Sequence, residues 1–258
     1  MVCADRCHGS VSGRQLGNGD RVAEKGNQVP DVDVTHPPVR SYVIRGGRLT
    51  TSQRKALETH ADDFVVDYRP TVLDTRSLFG NGKPLTVEIG FGMGDSLLTM
   101  ASDSPDTNFI GIEVHRPGIG KLLLGIVRQG LDNIRIINHD ASEVMTHCFA
   151  EASLDRILIF FPDPWHKKRH HKRRLVQPAF AELLATRLKP GGILHAATDW
   201  QPYAEQMLAV LEQNSRLRNG AGPGNFGSPG DRPSTKFEKR GKRLGHGVWD
   251  LQFIRRQD

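Results

Sequence analysis

Short apolar runs recur along the second two-thirds of the chain, at residues 85–90, 108–114, 134–138, 154–161 and 192–197. Each is nearly continuous and rich in Ile, Val, Leu and Phe. That is the pattern of strands buried on both faces, as in a parallel sheet. Between them the apolar period changes to that of a helix. Ile119, Leu122, Leu123, Ile126 and Val127 form one stripe, with Pro117 in the first turn. Val176, Phe180, Leu183, Leu184 and Leu188 form a second, stopped by Lys189-Pro190-Gly191-Gly192. Tyr203, Met207, Val210 and Leu211 form a third, behind Pro202. Strands alternating with helices of this size predict an α/β fold with a doubly wound, mostly parallel sheet. Residues 236–254, with Phe237, Leu244, Val248, Trp249, Leu251 and Phe253 as apolar positions, predict a closing antiparallel β hairpin. In such sheets ligands bind beyond the carboxyl ends of the strands.

Two segments stand outside this pattern. Residues 1–40 contain no Phe, Tyr or Trp and end near Pro37-Pro38. They cannot bury enough surface to offset their ordering entropy, so a disordered tail is expected, followed by a single domain over 41–258. Residues 219–234 are half Gly and Pro, which predicts a mobile surface loop. The chain of 258 residues carries a net charge of +6. The tail holds five acids and five bases, so the excess lies in the domain, where it suggests an anionic partner. The three cysteines make no disulfide framework, and free thiols in a reducing cytoplasm are expected. The longest apolar run, 122–127, is far short of the ~20 residues of a membrane span, and the N-terminus lacks a signal-peptide core.

The turn after the first run reads Glu88-Ile89-Gly90-Phe91-Gly92-Met93-Gly94-Asp95. Its glycines allow a sharp turn and close approach to a ligand. A dinucleotide fingerprint would end in glycine where Asp95 stands, and an acid at a helix start repels a pyrophosphate. A nucleoside with a cationic centre, S-adenosyl-L-methionine, suits the turn better than NAD. Glu113 ends the second run and could accept both ribose hydroxyls. Asp140 ends the third and could accept from the adenine amine. Glu88 could face the methionine end. Each acid alone reads as a solvated loop carboxylate; three at successive strand ends beside a glycine turn do not.

The fourth run enters Phe160-Phe161-Pro162-Asp163-Pro164-Trp165. Two prolines fix the backbone around Asp163, and Trp165 offers a flat surface on which a base could stack. The alternative is a rigid turn capped by a core tryptophan. Lys167 to Arg174 then holds six permanent cations and two histidines in eight residues, most easily explained by a polyanion. His166 and His170 have zinc-helix spacing but lack the glutamate and sit among cations, so no metal is assigned.

These residues resemble the bacterial tRNA (guanine-N7-)-methyltransferases, the TrmB family, over residues 42–258. The most specific parts are Phe161-Pro-Asp-Pro-Trp165 through the basic run to Leu175, and the C-terminal Thr235-Lys-Phe-Glu238 with Gly245-His-Gly-Val-Trp-Asp250. The resemblance implies a Rossmann-like class I fold and transfer of a methyl group to N7 of guanosine 46 in the variable loop of tRNA. It implies that Glu88, Gly90, Gly92, Gly94, Glu113, Asp140 and Asp163 line the S-adenosyl-L-methionine site, with Asp163 also catalytic. Lys167, Asp199, Thr235, Lys236, Phe237 and Glu238 would bind the substrate nucleotide. Arg169, His170, His171, Lys172, Arg173 and Arg174 would contact RNA. Monomer and homodimer both remain open, and no membrane partner is expected. Competing readings are an NAD-dependent oxidoreductase, a non-enzymatic RNA-binding protein and an amino-group base methylase.

Overall fold

A computed structural model describes residues 40–43, 46–233, 238 and 247–257. The expectations for residues 1–39, for Thr235, Lys236 and Phe237, and for most of the first arm of the closing hairpin lie outside the described residues. The five apolar runs are β2 (Leu85–Ile89), β3 (Asn108–Ile112), β4 (Ile134–Ile137), β5 (Leu154–Phe160) and β6 (Leu188–Thr198). Before them come α1 (Thr51–Phe64), β1 (Val65–Val66) and α2 (Thr75–Phe79). Between and after them lie α3 (Asp95–Asp103), α4 (Arg116–Gln129), α5 (Ala141–His147), α6 (Pro178–Arg187), α7 (Gln201–Glu212), β7 (Leu217–Asn219) and β8 (Trp249–Arg255). The strand order is β1-β4-β3-β2-β5-β6-β8-β7. Pairing is parallel from β1 to β6, and β8 runs antiparallel to both β6 and β7. The sheet therefore ends in an antiparallel pair, with 217–219 supplying the outermost strand.

Alternation along the strands explains the two helical layers. Phe109, Ile134 and Ile136 join a cluster with Leu97 and Leu98 of α3, Ile119, Leu122, Leu123 and Ile126 of α4, and Ala56 of α1. Ile110, Ile112 and Ile137 turn to the opposite face and pack with Val144, Leu184, Tyr203 and Met207 of α5, α6 and α7. Val127, expected on the buried stripe of α4, is 43% exposed because it falls at the stripe's edge.

The chain passes from β2 outward through β3 and β4, then returns to place β5 on β2's other side. The carboxyl ends of β2 and β5 flank the switch point where a ligand crevice forms. One close approach fixes its floor. A Cβ at Gly118, near the start of α4, would lie 1.9 Å from the Gly92 carbonyl oxygen, so only glycine lets the helix reach the turn. Gln53 secures that helix from behind. It completes a capping box with Thr50 and donates to the Pro117 carbonyl at 3.0 Å.

Candidate active site

The glycine turn has the expected backbone. Gly90, Gly92 and Gly94 adopt φ of 73°, 58° and 79°, in the left-handed region that favours glycine. Glu113 ties this turn to the end of β3. Its Oε2 accepts from the Gly92 amide at 2.8 Å, and its Oε1 accepts from the Val114 and His115 amides at 2.7 and 2.9 Å. Asp140 is the N-cap of α5 and accepts from the Ser142 amide at 2.7 Å. Asp95 is paired with Lys121. Its charge is thus balanced, and it weighs less against a phosphate than its position in the sequence suggests.

Glu88 sits in β2 beneath the turn, 3% exposed, and its Oε2 has no hydrogen-bond partner. Burial first, and the nearby Glu113 carboxylate second, push its carboxyl up to about 8. Near neutral pH this is an uncharged acid with one unsatisfied oxygen under the glycine turn.

A cavity of about 780 Å³ opens above these strand ends, lined by Gly90, Glu113, Asp163, Asp199, His166 and Trp200 among others. A smaller one, about 410 Å³, adjoins it and is lined by Asp140. His115, His139, Val114 and Tyr42 border both. Glu113 and Asp163 therefore face one space, and Asp140 faces the neighbouring compartment. Glu88 lies behind the wall.

The acceptor side is built differently. Phe161 and Trp165 have φ of 54° and 46°, unusual for such bulky residues. Asp163 Oδ1 accepts from the Trp165 amide at 3.0 Å and holds this tight turn. The expected stacking surface is not offered to the cavity. Arg173 lies 4.0 Å over the Trp165 ring, His170 meets its edge, and its Nε1 donates to the Ser41 carbonyl at 3.1 Å. Trp200, which sequence reasoning passed over, is the tryptophan in the cavity wall, with His166 packed edge-on at 4.3 Å.

The basic run folds as a 3-10 helix, Lys168–Arg173, with Lys167 as its N-cap. Lys167, Arg169 and Lys172 are exposed at its surface, while His170 and His171 are half-buried. Desolvation, with Arg169, Arg173 and Lys167 close by, pushes the His170 ring below its ordinary value. Arg174 departs from the expected RNA contact. It is 3% exposed and donates to the Pro164 carbonyl at 2.8 Å and to Gln206, while packing over the Tyr203 ring. Its guanidinium braces the Asp163 turn against α7, and the exposed cations are its neighbours. Arg173 is half engaged: its Nε and Nη2 donate to the carbonyls of Arg40 and Tyr42 at 3.0 and 3.2 Å.

Residues 41–43 thus form a strap pinned by the acceptor loop and lining both cavities. Burial, then the Asp140 carboxylate, pushes the Tyr42 phenol above its ordinary value. The only sequence signal for this strap is that Tyr42 is the first aromatic residue of the chain.

A family model described as "Putative methyltransferase" matches residues 82–251. A tRNA (guanine-N(7)-)-methyltransferase of Pseudomonas aeruginosa (strain UCBPP-PA14) is 56% identical over 218 residues, covering 84% of this chain and 89% of its own. One of Paracidovorax citrulli (strain AAC00-1) is 57% identical over 234 residues, covering 90% and 94%. The chain belongs to the tRNA (guanine-N(7)-)-methyltransferase family. Among solved structures, the 16S rRNA methyltransferase KamB superposes with a TM-score of 0.54 at 12% identity, over 72% of this chain and 95% of its own, a likeness of fold.

The enzyme is a methyltransferase, and its residues fit S-adenosyl-L-methionine. The unpartnered Glu88 oxygen lies under the glycine turn but lines neither cavity. A Cβ at Gly90 or Gly92 would project into open space, where the ligand would lie. Glu113 and Asp140 place carboxylates at the edges of two adjoining cavities. Among the described residues no group of three or more His, Cys, Asp or Glu could hold a metal ion. No helix among them is long and apolar enough to cross a membrane.

Proposed function

We propose that this methyltransferase moves the methyl group of S-adenosyl-L-methionine to N7 of guanosine 46 in the variable loop of tRNA, forming 7-methylguanosine in the cytoplasm, with residues 41–258 as one catalytic domain. The observation that carries this reading is that Glu113 and Asp163, from opposite sides of the switch point, line one cavity together with His166 and Leu175, the residues that flank the basic 3-10 segment. Sequence kinship supports the choice of nucleotide and atom.

Bound S-adenosyl-L-methionine supplies a methyl group on a sulfonium, open to attack by a nitrogen lone pair. Guanine N7 has such a pair in the ring plane and carries no proton. Methylation at such a nitrogen would require no proton to be removed, so no side chain of this chain would have to act as a base. Asp163 therefore does not take a proton. Its carboxylate holds the base edge and stabilises the positive charge that develops on the purine. Glu113 fixes the donor end, because the amides it binds lock it in place. Alignment of nitrogen, methyl and sulfur contributes ~7–11 kcal/mol in favourable cases. Trp200 and His166 supply the flat wall. In folded tRNA the base must leave its tertiary contacts, at a cost of a few kcal/mol. Lys167, Arg169 and Lys172 offset that cost through the phosphates.

Incubation with labelled S-adenosyl-L-methionine and unmodified tRNA, followed by nucleoside analysis, tests the proposal. Label in 7-methylguanosine supports it. Label in N6-methyladenosine, or none, overturns it.

A further inference from the structure

The loop over 219–234, without a role in the sequence, is pinned at its far end. Gly227 bridges to Asp250 of β8. Asp231 pairs with Arg156 through two contacts, at 2.8 and 3.0 Å. The next residue, Arg232, turns inward with its side chain fully buried. Its Nε and Nη2 donate to the two oxygens of Asp250 at 2.7 and 3.0 Å, and its Nη1 donates to Glu238 at 2.8 Å. Asp250 also meets His195 Nε2 at 2.8 Å. Burial alone would raise the Asp250 carboxyl, but the hydrogen bonds from His195 and Arg232 hold it below the ordinary range. The guanidinium lies 5.7 Å over the Phe160 ring and 5.4 Å over the Phe161 ring.

Two neighbours give this cluster a functional address. Phe161 is a wall of the larger cavity and the first residue of the turn that presents Asp163. Glu238, for which the resemblance implied nucleotide binding, is 4% exposed and lines neither cavity, so its link toward the site runs through Arg232. Stability alone does not call for such a cluster, since apolar side chains of similar volume commonly serve a core as well as a buried ion pair. What apolar side chains cannot do is fix the spacing of two elements through a planar fork of donors.

We infer that Arg232 is a positioning residue for methyl transfer, tying the Phe161–Asp163 turn to Asp250 of β8 and to the Glu238 carboxylate at one spacing, so that the turn is set before the base arrives. It touches no reacting atom. This inference rests on the proposed transfer to guanine.

The test compares Arg232→Lys with Asp231→Asn, which breaks the neighbouring Arg156 pair on the same loop. Each is measured for kcat and KM with tRNA, for S-adenosylhomocysteine affinity by calorimetry, and for thermal melting. Arg232→Lys keeps charge but loses the fork. It is expected to lower kcat/KM for tRNA about thirty- to a hundredfold, mostly in kcat, with S-adenosylhomocysteine affinity within about twofold of wild type. Asp231→Asn is expected to stay within about threefold of wild type. If the lysine variant does not fold, Arg232→Met carries the same readouts. Wild-type-like kcat/KM in the folded Arg232 variant overturns the inference, and so does cofactor affinity that falls in step with turnover. An inactive wild type with intact S-adenosylhomocysteine binding would overturn the proposed substrate instead.

Discussion

The two halves of the cavity are built on opposite principles. On the cofactor half, two of the three acids are locked by backbone: Glu113 by three amides, Asp140 by the first turn of α5. That half is set by strand ends and helix starts, elements with little freedom. On the acceptor half, Asp163 is exposed and held by one amide, and the turn around it needs two bulky residues at positive φ. Strain there is held by distant partners: Arg173 over Trp165, Arg174 against Pro164, Arg232 over Phe161. Rigid strand ends suit a donor of fixed shape. A loop stabilised by side chains suits a base that must be drawn out of a folded RNA.

Substitutions can break or sharpen this contrast. The largest effect is expected from Asp163→Ala. Its kcat should fall about a hundredfold or more while S-adenosylhomocysteine binding stays measurable. Turnover near wild type would remove Asp163 from the chemistry. Next, Glu113→Ala leaves three amides without their acceptor. It should lower cofactor affinity about tenfold or more and cost about 2–3 kcal/mol of stability, read by calorimetry and denaturant melts. An unchanged cofactor affinity would place the donor elsewhere.

A smaller effect separates the cations. Neutralising Arg169 and Lys172 together should reduce the slope of log affinity for tRNA against log salt by about 1–2, with cofactor binding unchanged. Neutralising Arg174 should instead lower stability and leave that slope alone.

The last effect, on stability and not on turnover, concerns Glu88. Its carboxyl is raised from 4.5 to about 8 in the fold. Above pH 4.5 the folded state therefore binds more protons than the unfolded chain. Stability from this group is complete below that pH and is lost as pH rises through about 8. The melting temperature of the cofactor-free protein, taken relative to Glu88→Gln, should fall between pH 5 and 8. A flat difference would mean that Glu88 is ionised in the empty site.

The cofactor half was largely legible in the sequence, because strand ends, glycines and helix caps are local signals. Glu113 and Asp140 stand where the apolar runs stop. The acceptor half was legible in composition only. Asp163 and the basic run are evident, yet which tryptophan faces the cavity is decided by long-range contacts of Trp165 with Ser41 and Arg173. Arg174 and Arg169 look alike in a run of cations, and only contact with α7 separates a brace from a surface charge. The expected stop of α6 holds, and it falls at the start of β6. Lys189-Pro190-Gly191-Gly192 does end α6, but it winds within the strand, between pairings Leu154–Leu188 and Arg156–Ile193, with Lys189 held by Asp155.

The central claim is that both halves open on one cavity with donor and acceptor face to face. A crystal structure with S-adenosylhomocysteine bound tests it most directly. The account predicts the ribose hydroxyls on Glu113, the adenine toward Asp140 and the sulfur facing Asp163. A ligand lodged away from Glu113, or a sulfur turned from Asp163, would contradict it.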